Sequence, residues 1–165
     1  MKKDLGIIFG LALLIVVLLL FGRGFTSTSF LAPSSTQQSQ KNEVQVTIKD
    51  LKINAKVASS SADRKKGLAK LESIPLDSGM LFLFDKPGVY AIWMKDMKFA
   101  IDVLWVGEDK TIVDITENVP PEPGKADREL TVYKPRSPAR YILEINAGLW
   151  RLNNLQVGDK ADFTL

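Results

Sequence analysis

Hydrophobic residues are spaced along this chain in three different ways, and each spacing predicts a different kind of structure. From Leu5 to Gly22 the run LGIIFGLALLIVVLLLFG holds 18 residues without a charge, bounded by Lys2, Lys3 and Asp4 on one side and Arg23 on the other. As a helix it would rise about 27 Å, close to the ~30 Å hydrocarbon thickness of a bilayer. A retained signal-anchor, a cleaved secretory signal and a buried soluble helix compete for this segment. The run exceeds the ~7–15 apolar residues usual in a signal peptide, and no small-x-small cleavage site follows it directly, which favours a retained transmembrane anchor over residues 1–23. Lys2 and Lys3 precede the run, so the positive-inside rule places the amino terminus in the cytoplasm and the rest of the chain outside it.

Residues 24–42, GFTSTSFLAPSSTQQSQKN, are rich in Ser, Thr and Gln and too polar to bury a core. They read as a flexible tether. The competing reading is an ordered extension, for which Phe25, Phe30 and Leu31 would be the anchors.

At Glu43 the spacing changes to a period of two. Val44, Val46 and Ile48 alternate with polar residues, as do Leu51, Ile53, Ala55 and Val57, which predicts two half-buried strands turning at Lys49-Asp50. Ser60 followed by Asp63 has capping-box spacing, so a short helix should run through Arg64, Lys65 and Lys66 to about Ala69. Beyond Gly79 the apolar runs become nearly continuous: Met80 to Phe84, Val89 to Met94, Ile101 to Val106 and Thr111 to Thr116, separated by turn residues. Such runs predict strands buried on both faces. Asn118 to Thr131 holds Pro120, Pro121, Pro123 and Gly124 and must be a surface loop. Strands are expected again at Thr131 to Tyr133 and Ala139 to Ile145, a helical turn at Asn146 to Leu152, and a closing strand at Lys160 to Thr164. The fold class expected is mainly β, a jelly-roll-like sandwich or small closed barrel with short helices over residues 43–165, preceded by one N-terminal transmembrane helix.

Composition narrows the chemistry. With no Cys and no His, the chain excludes disulfides, thiolate or imidazole metal sites, Cys nucleophiles and Ser-His-Asp triads. The net charge of +3 resides entirely in residues 1–41, and residues 42–165 carry 18 basic and 18 acidic side chains. No basic footprint therefore points to nucleic acid as a partner.

Several motifs together resemble a known prokaryotic family. Arg64-Lys-Lys-Gly67-Leu68-Ala69, Gly79-Met-Leu-Phe-Leu-Phe84, Ile92-Trp-Met-Lys-Asp-Met97, Ala100-Ile-Asp102 and Tyr141-Ile-Leu-Glu-Ile-Asn-Ala-Gly148 occur in that order. In this the chain is similar to the family catalogued as domain of unknown function 192, over about Val44 to Phe163. The resemblance implies a compact, mostly β domain and no particular activity. It also exposes departures: Ala69 stands where the family has Met, Asp96 where it has Asn, Met97 where it has Thr and Ala100 where it has Pro.

The residues most informative about function are acids embedded in apolar strands. Asp102 lies between Ile101 and Val103, and Glu144 between Leu143 and Ile145. A carboxylate on a buried face is costly unless it is paired or hydrogen-bonded. The structural reading gives each a partner such as Lys95 or Arg140, or backbone N–H groups at a strand end. The functional reading brings Lys95, Asp102 and Glu144 around one concavity, with Arg64 as a fourth member and Trp93 and Asp96 beside it, as ligand-binding candidates. Tyr90, Trp93, Trp105 and Trp150 could offer a stacking platform for sugar rings, Trp150 being the best candidate for exposure, although aromatics in apolar strands are more often core. Asp77, Asp85, Asp109, Asp114 and Glu117 lack the loop spacing of a calcium site, so no metal is assigned. Ser59 to Ser61 with Lys65 or Lys66 lacks the setting of a Ser–Lys hydrolase, and no Gly-rich phosphate cradle exists, so no cofactor is assigned. The expectation is a membrane-tethered, extracytoplasmic binding or accessory module for a cell-envelope component, either a polysaccharide or a membrane protein, without catalysis. The alternative is a small carboxylate-dependent enzyme acting on envelope carbohydrate.

Overall fold

A computed structural model describes residues 42–165. The expected membrane anchor and nearly all of the tether lie outside the described residues. Among the described residues no helix is long and apolar enough to cross a membrane.

The alternating segments form a hairpin of β1 (Glu43–Ile48) and β2 (Leu51–Ala58), with Lys49 in the left-handed region at the turn. Helix α1 (Ser61–Lys66) follows, capped as its spacing predicts by the Ser60 hydroxyl, which accepts from the Asp63 backbone N–H. β3 (Ser78–Gly88), β4 (Ile101–Val106), β5 (Ile112–Val119) and β6 (Ala139–Asn146) complete one six-stranded mixed sheet, in the order β1-β2-β3-β6-β4-β5. All neighbours are antiparallel except β2 and β3. A short helix α2 (Leu149–Leu152) follows β6, and a 3-10 turn (Asp127–Glu129) lies in the proline-rich loop.

Neither a sandwich nor a closed barrel forms, which corrects the expected architecture. The apolar strands are buried on both faces because a core lies on each side of a single sheet. On the first face all six strands contribute, with Val46, Ile53, Leu81, Leu104, Ile112 and Leu143 among them, and the cover is made by Trp150, Leu155 and Phe163. On the second face Phe82, Val103, Trp105 and Ile142 are covered by Leu68, Met94 and Met97, which come from connecting segments. Loops do here what a second sheet would do in a sandwich.

The sheet is open but strongly curled. Flat, its two edges would stand about 24 Å apart across five interstrand gaps of ~4.8 Å. Yet the segment 160–162 bridges both, with Lys160 opposite Thr111 at the start of β5 and Asp162 opposite Thr47 on β1. Two residues of extended chain reach only about 7 Å, so the edges must approach each other at this end of the sheet. The expected closing strand is thus a pair of isolated bridges. Gly79, paired with both Ala55 and Ile145, marks how tight the curled interior is. A Cβ there would meet the Glu144 carbonyl oxygen at 2.5 Å and an Ile53 methyl at 3.0 Å.

The expected strand over Val89 to Met94 does not form. Only Ile92 pairs, exchanging two backbone hydrogen bonds with Tyr133, and the expected strand at Thr131 to Tyr133 shrinks to the other half of the same bridge. The apolar run is divided between two environments: Met94 is buried, whereas Val89 and Trp93 are exposed.

Candidate functional site

The structure separates the residues that the sequence grouped. In register, Asp102 of β4 lies opposite Ile145 of β6, and Val103 lies opposite Glu144. Paired residues share a face and successive residues alternate, so Asp102 and Glu144 point to opposite sides of the sheet. Lys95 joins neither; it forms an ion pair with Asp127 at 2.5 Å on the surface. The expected concavity of Lys95, Asp102, Glu144 and Arg64 is therefore not formed.

Asp102 has a structural task. It is 1% exposed, and its carboxylate accepts from two backbone N–H groups, Asn118 at 2.8 Å and Trp150 at 3.0 Å. The β4–β5 register shifts between Ile101 and Val103, and Asn118 adopts a positive φ of 47°, so the first of these bonds satisfies a donor freed by a β-bulge. The second caps α2. Gly148 stands at the N-cap with φ 88° and has no side chain to offer, so a carboxylate from a neighbouring strand takes its place.

Glu144 has no such partner. It is 7% exposed, flanked in register by Met80 and Val103, and among the described residues no hydrogen bond reaches its carboxyl. Desolvation pushes its pKa up to about 8. The two acids, similar in their sequence settings, differ because one meets backbone donors and the other meets side-chain hydrocarbon.

Arg64 is occupied with joining α1 to the sheet. Its guanidinium donates to the carbonyls of Ser59 and Leu83 and lies over the Phe84 ring, 5.0 Å from the centroid. Phe84 in turn stacks on Tyr90 with ring centroids 3.6 Å apart. Trp105 is buried and donates to Thr116, and Trp150, expected to be the most exposed tryptophan, is buried in the first core. Trp93 alone among the tryptophans is exposed, at 50%.

Around Trp93 the geometry is suggestive. The isolated antiparallel Ile92–Tyr133 bridge leads on to Trp93 along one segment and to Val132 along the other, and the first segment turns at Lys95-Asp96. Met94 is buried between Trp93 and Lys95, so those two residues face outward. Trp93 and Val132 are both about half exposed. Lys95, Asp96, Met97, Glu122, Pro123, Gly124, Lys125, Asp127 and Leu130 line a small open depression of about 90 Å³.

Its wall is built by the proline-rich loop. Glu122 accepts from the backbone N–H and hydroxyl of Thr131, at 2.9 and 2.7 Å, and from Lys125, at 2.5 Å. This latch ties the two ends of the loop together, and the Lys125 contact, followed by the Thr131 contacts, holds the Glu122 carboxyl down at about 2. Glu129 accepts from the Ala126 N–H and braces the 3-10 turn that presents Asp127. On the opposite wall Asp96 adopts φ 57°, a left-handed conformation that Asn and Asp tolerate better than most residues, and its carbonyl accepts from the Lys70 N–H. The Asn-to-Asp departure therefore suits the backbone. Met97 is buried in the second core, so its departure from Thr concerns packing.

Of the ligand candidates, Trp93, Lys95 and Asp96 thus lie along one surface, and Arg64, Asp102 and Glu144 lie elsewhere. The loop residues Glu122, Lys125, Asp127, Leu130 and Val132 were missed. The available signal was the loop's own length: about 12–15 residues without regular structure are usually either functional or disordered. Among the described residues no cluster of acids is arranged to hold a metal.

The family model described as "Uncharacterized ACR, COG1430" (DUF192) matches residues 44–163. A UPF0127 protein of Pyrococcus abyssi is 31% identical over 64 residues, which are 39% of this chain and 47% of that protein, so the chain matches about half the length of this curated relative. Two crystal structures are similar. One, from Sinorhizobium meliloti and described provisionally as a transcription regulator, is 27% identical with a TM-score of 0.65, covering 73% of this chain and 92% of the other. The second, a protein of unknown function from Novosphingobium aromaticivorans, is 28% identical with a TM-score of 0.64, covering 73% of this chain and 83% of the other.

Proposed function

Since this chain belongs to the DUF192 family, whose members share a domain without an assigned activity, we propose from its own geometry that it is a non-catalytic binding module for a cell-envelope component. It is held at the membrane by residues 5–22 and faces outward on a short tether. The observation that carries the reading is the half-exposed Trp93, two residues along the chain from Lys95, which lines a small polar depression. Tryptophan is among the residues that most often anchor recognition surfaces, because its ring offers a large rigid face with one polar edge.

The enzymatic alternative fares less well. Acid–base work on a glycosidic bond needs two carboxyl groups flanking one cleft, one of them with a raised pKa. Asp102 and Glu144 lie on opposite faces of the sheet. Glu122 in the depression is held ionised by Lys125 and Thr131. The domain's balanced charge also gives a nucleic-acid role no footing.

A photo-crosslinking residue introduced at position 93 of the full-length chain in intact cells tests this reading. Crosslinks to an envelope component should form from position 93 and be absent when the same residue replaces Lys52, an exposed position on β2. No adduct at 93, or equal adducts at both positions, would overturn it.

A further inference from the structure

The balanced charge of the domain hides an uneven distribution. Residues 43–70 carry seven basic and three acidic side chains, a balance of +4, and residues 71–165 carry eleven basic and fifteen acidic ones, a balance of −4. The two parts also use their charges differently. Seven of the eleven cations in the second part are held in ion pairs. In the first part Lys49 pairs with Asp159 and Arg64 donates to backbone carbonyls, while Lys52, Lys56, Lys65, Lys66 and Lys70 are exposed and have no ion pair among the described residues.

Three of these lysines gather at one corner of the sheet. In β2, Lys56 shares its face with Ala58, which packs in the second core. Ala58 lies opposite Phe82, and Gly67 sits so close to the Phe82 ring that a Cβ on it would be 3.6 Å away. Helix α1 therefore ends about one row of the sheet, ~7 Å, beyond Lys56, with Lys65 and Lys66 in its last turn. The nearby acids leave these charges standing: Asp63 is bonded to Ser60, and Glu43, opposite Lys56 in register, makes no ion pair with it. Lys52 stands about 13 Å farther along β2, nearer the hairpin turn. The same corner is where the amino-terminal segment joins, because Glu43 begins β1. A random coil as long as residues 24–42 spans only about 25 Å, so the anchor of the reading above would keep this corner near the bilayer.

A plane of phosphate groups suits such a corner, since long exposed lysines need no preformed pocket to meet loosely spaced anions. Each lysine near an anionic bilayer strengthens attachment roughly fivefold, and three together about a hundredfold. That is weak for a free protein and sufficient for one already tethered. We propose that the corner formed by Lys56, Lys65 and Lys66 rests on the anionic phospholipid headgroups of the membrane that holds residues 5–22. The inference rests on the anchor in the reading above and makes no use of the Trp93 surface.

The test uses the full-length chain in nanodiscs of phosphatidylcholine alone, or of phosphatidylcholine and phosphatidylglycerol in equal parts. Lysine acetylation by a water-soluble ester, read by mass spectrometry, reports which ammonium groups are covered. In the anionic discs Lys56, Lys65 and Lys66 should react at least about threefold more slowly than in neutral discs, whereas Lys52 and the ion-paired Lys160 should change little. High salt should abolish the difference. Replacing two of the three, Lys65→Gln with Lys66→Gln, should also free Lys56, and a thermal melt of the variant separates a lost contact from a lost fold. Equal rates in the two kinds of disc, or slowing spread evenly over all exposed lysines, would overturn the contact and leave the anchor standing. Protection by soluble polyphosphate in neutral discs, without protection by the anionic lipid, would overturn the lipid in favour of a free polyanion. A chain that stays in neither disc would remove the anchor and this contact with it.

Discussion

The two faces of the sheet are built from the same strands and covered in different ways. On the first face the cover is α2 and the segment that bridges the sheet edges, and the acid there, Asp102, is bonded to both the bulge of β5 and the start of α2. On the second face the cover is connecting segments; of the two buried acids there, Asp114 accepts from Arg136, and Glu144 is bonded to nothing in the described chain. The second face has directional bonds of its own, from Arg64 to the Leu83 carbonyl, from Asn146 to the Pro75 carbonyl and from Arg136 to Asp114, but none of them reaches Glu144. Burial by itself therefore does not define what a carboxylate does. Its partners do, and the partners come from whichever element happens to cover that face.

The comparison is broken most directly at Asp102. Asp102→Ala should leave the Asn118 and Trp150 N–H groups without an acceptor in a buried setting and should destabilise the fold by about 3–5 kcal/mol. Urea denaturation at neutral pH measures it. A midpoint close to that of wild type would mean that the first face is not fastened in this way.

Glu144 should respond in the opposite sense. Its folded pKa of about 8 lies above the usual value of 4.5, so the folded state holds a proton that the unfolded state gives up. That contribution to stability is fully present below about pH 4.5 and is lost as pH rises through about 8. Glu144→Gln should remove this pH dependence and raise stability at pH 9 by roughly 2–4 kcal/mol relative to wild type. Thermal melts of both proteins between pH 5 and pH 9 sharpen the contrast, and parallel curves would show that an unseen partner keeps Glu144 ionised.

The smallest effect is expected under the loops. Met97→Thr restores the family residue, empties part of the second core and should cost about 1–2 kcal/mol, since connecting segments can settle into the space more readily than strands can. A loss comparable to that of Asp102→Ala would show that the second face is as rigid as the first.

How far the sequence carried the reading follows from the same geometry. The β1–β2 hairpin was legible because strict alternation fixes both the strand and its buried face, and α1 was legible from Ser60 and Asp63. β4 and β6 were legible as strands. Within each, alternation puts Asp102 on the face of Leu104 and Glu144 on the face of Ile142. The relation between the two strands was not legible, because a shift of one residue in their register exchanges the faces, and strands that are apolar on both sides give no sign of which register holds. The site at Trp93 depends on a single long-range bridge to Tyr133 and on a loop latched by Glu122 and Thr131, which leave no periodic trace.

The bridging segment has a consequence for timing. Thr47 and its partner Asp162 are 115 residues apart, and Thr111 must wait 49 residues for Lys160. A chain emerging from the ribosome with β1 and β2 already made has no means of joining the two margins of the sheet until residue 162 is free. Through that interval β1 offers an unpaired edge, on which Glu43, Gln45 and Thr47 alternate with the apolar positions and so discourage a premature neighbour. Closure is then a late, single event that waits for the last residues of the domain.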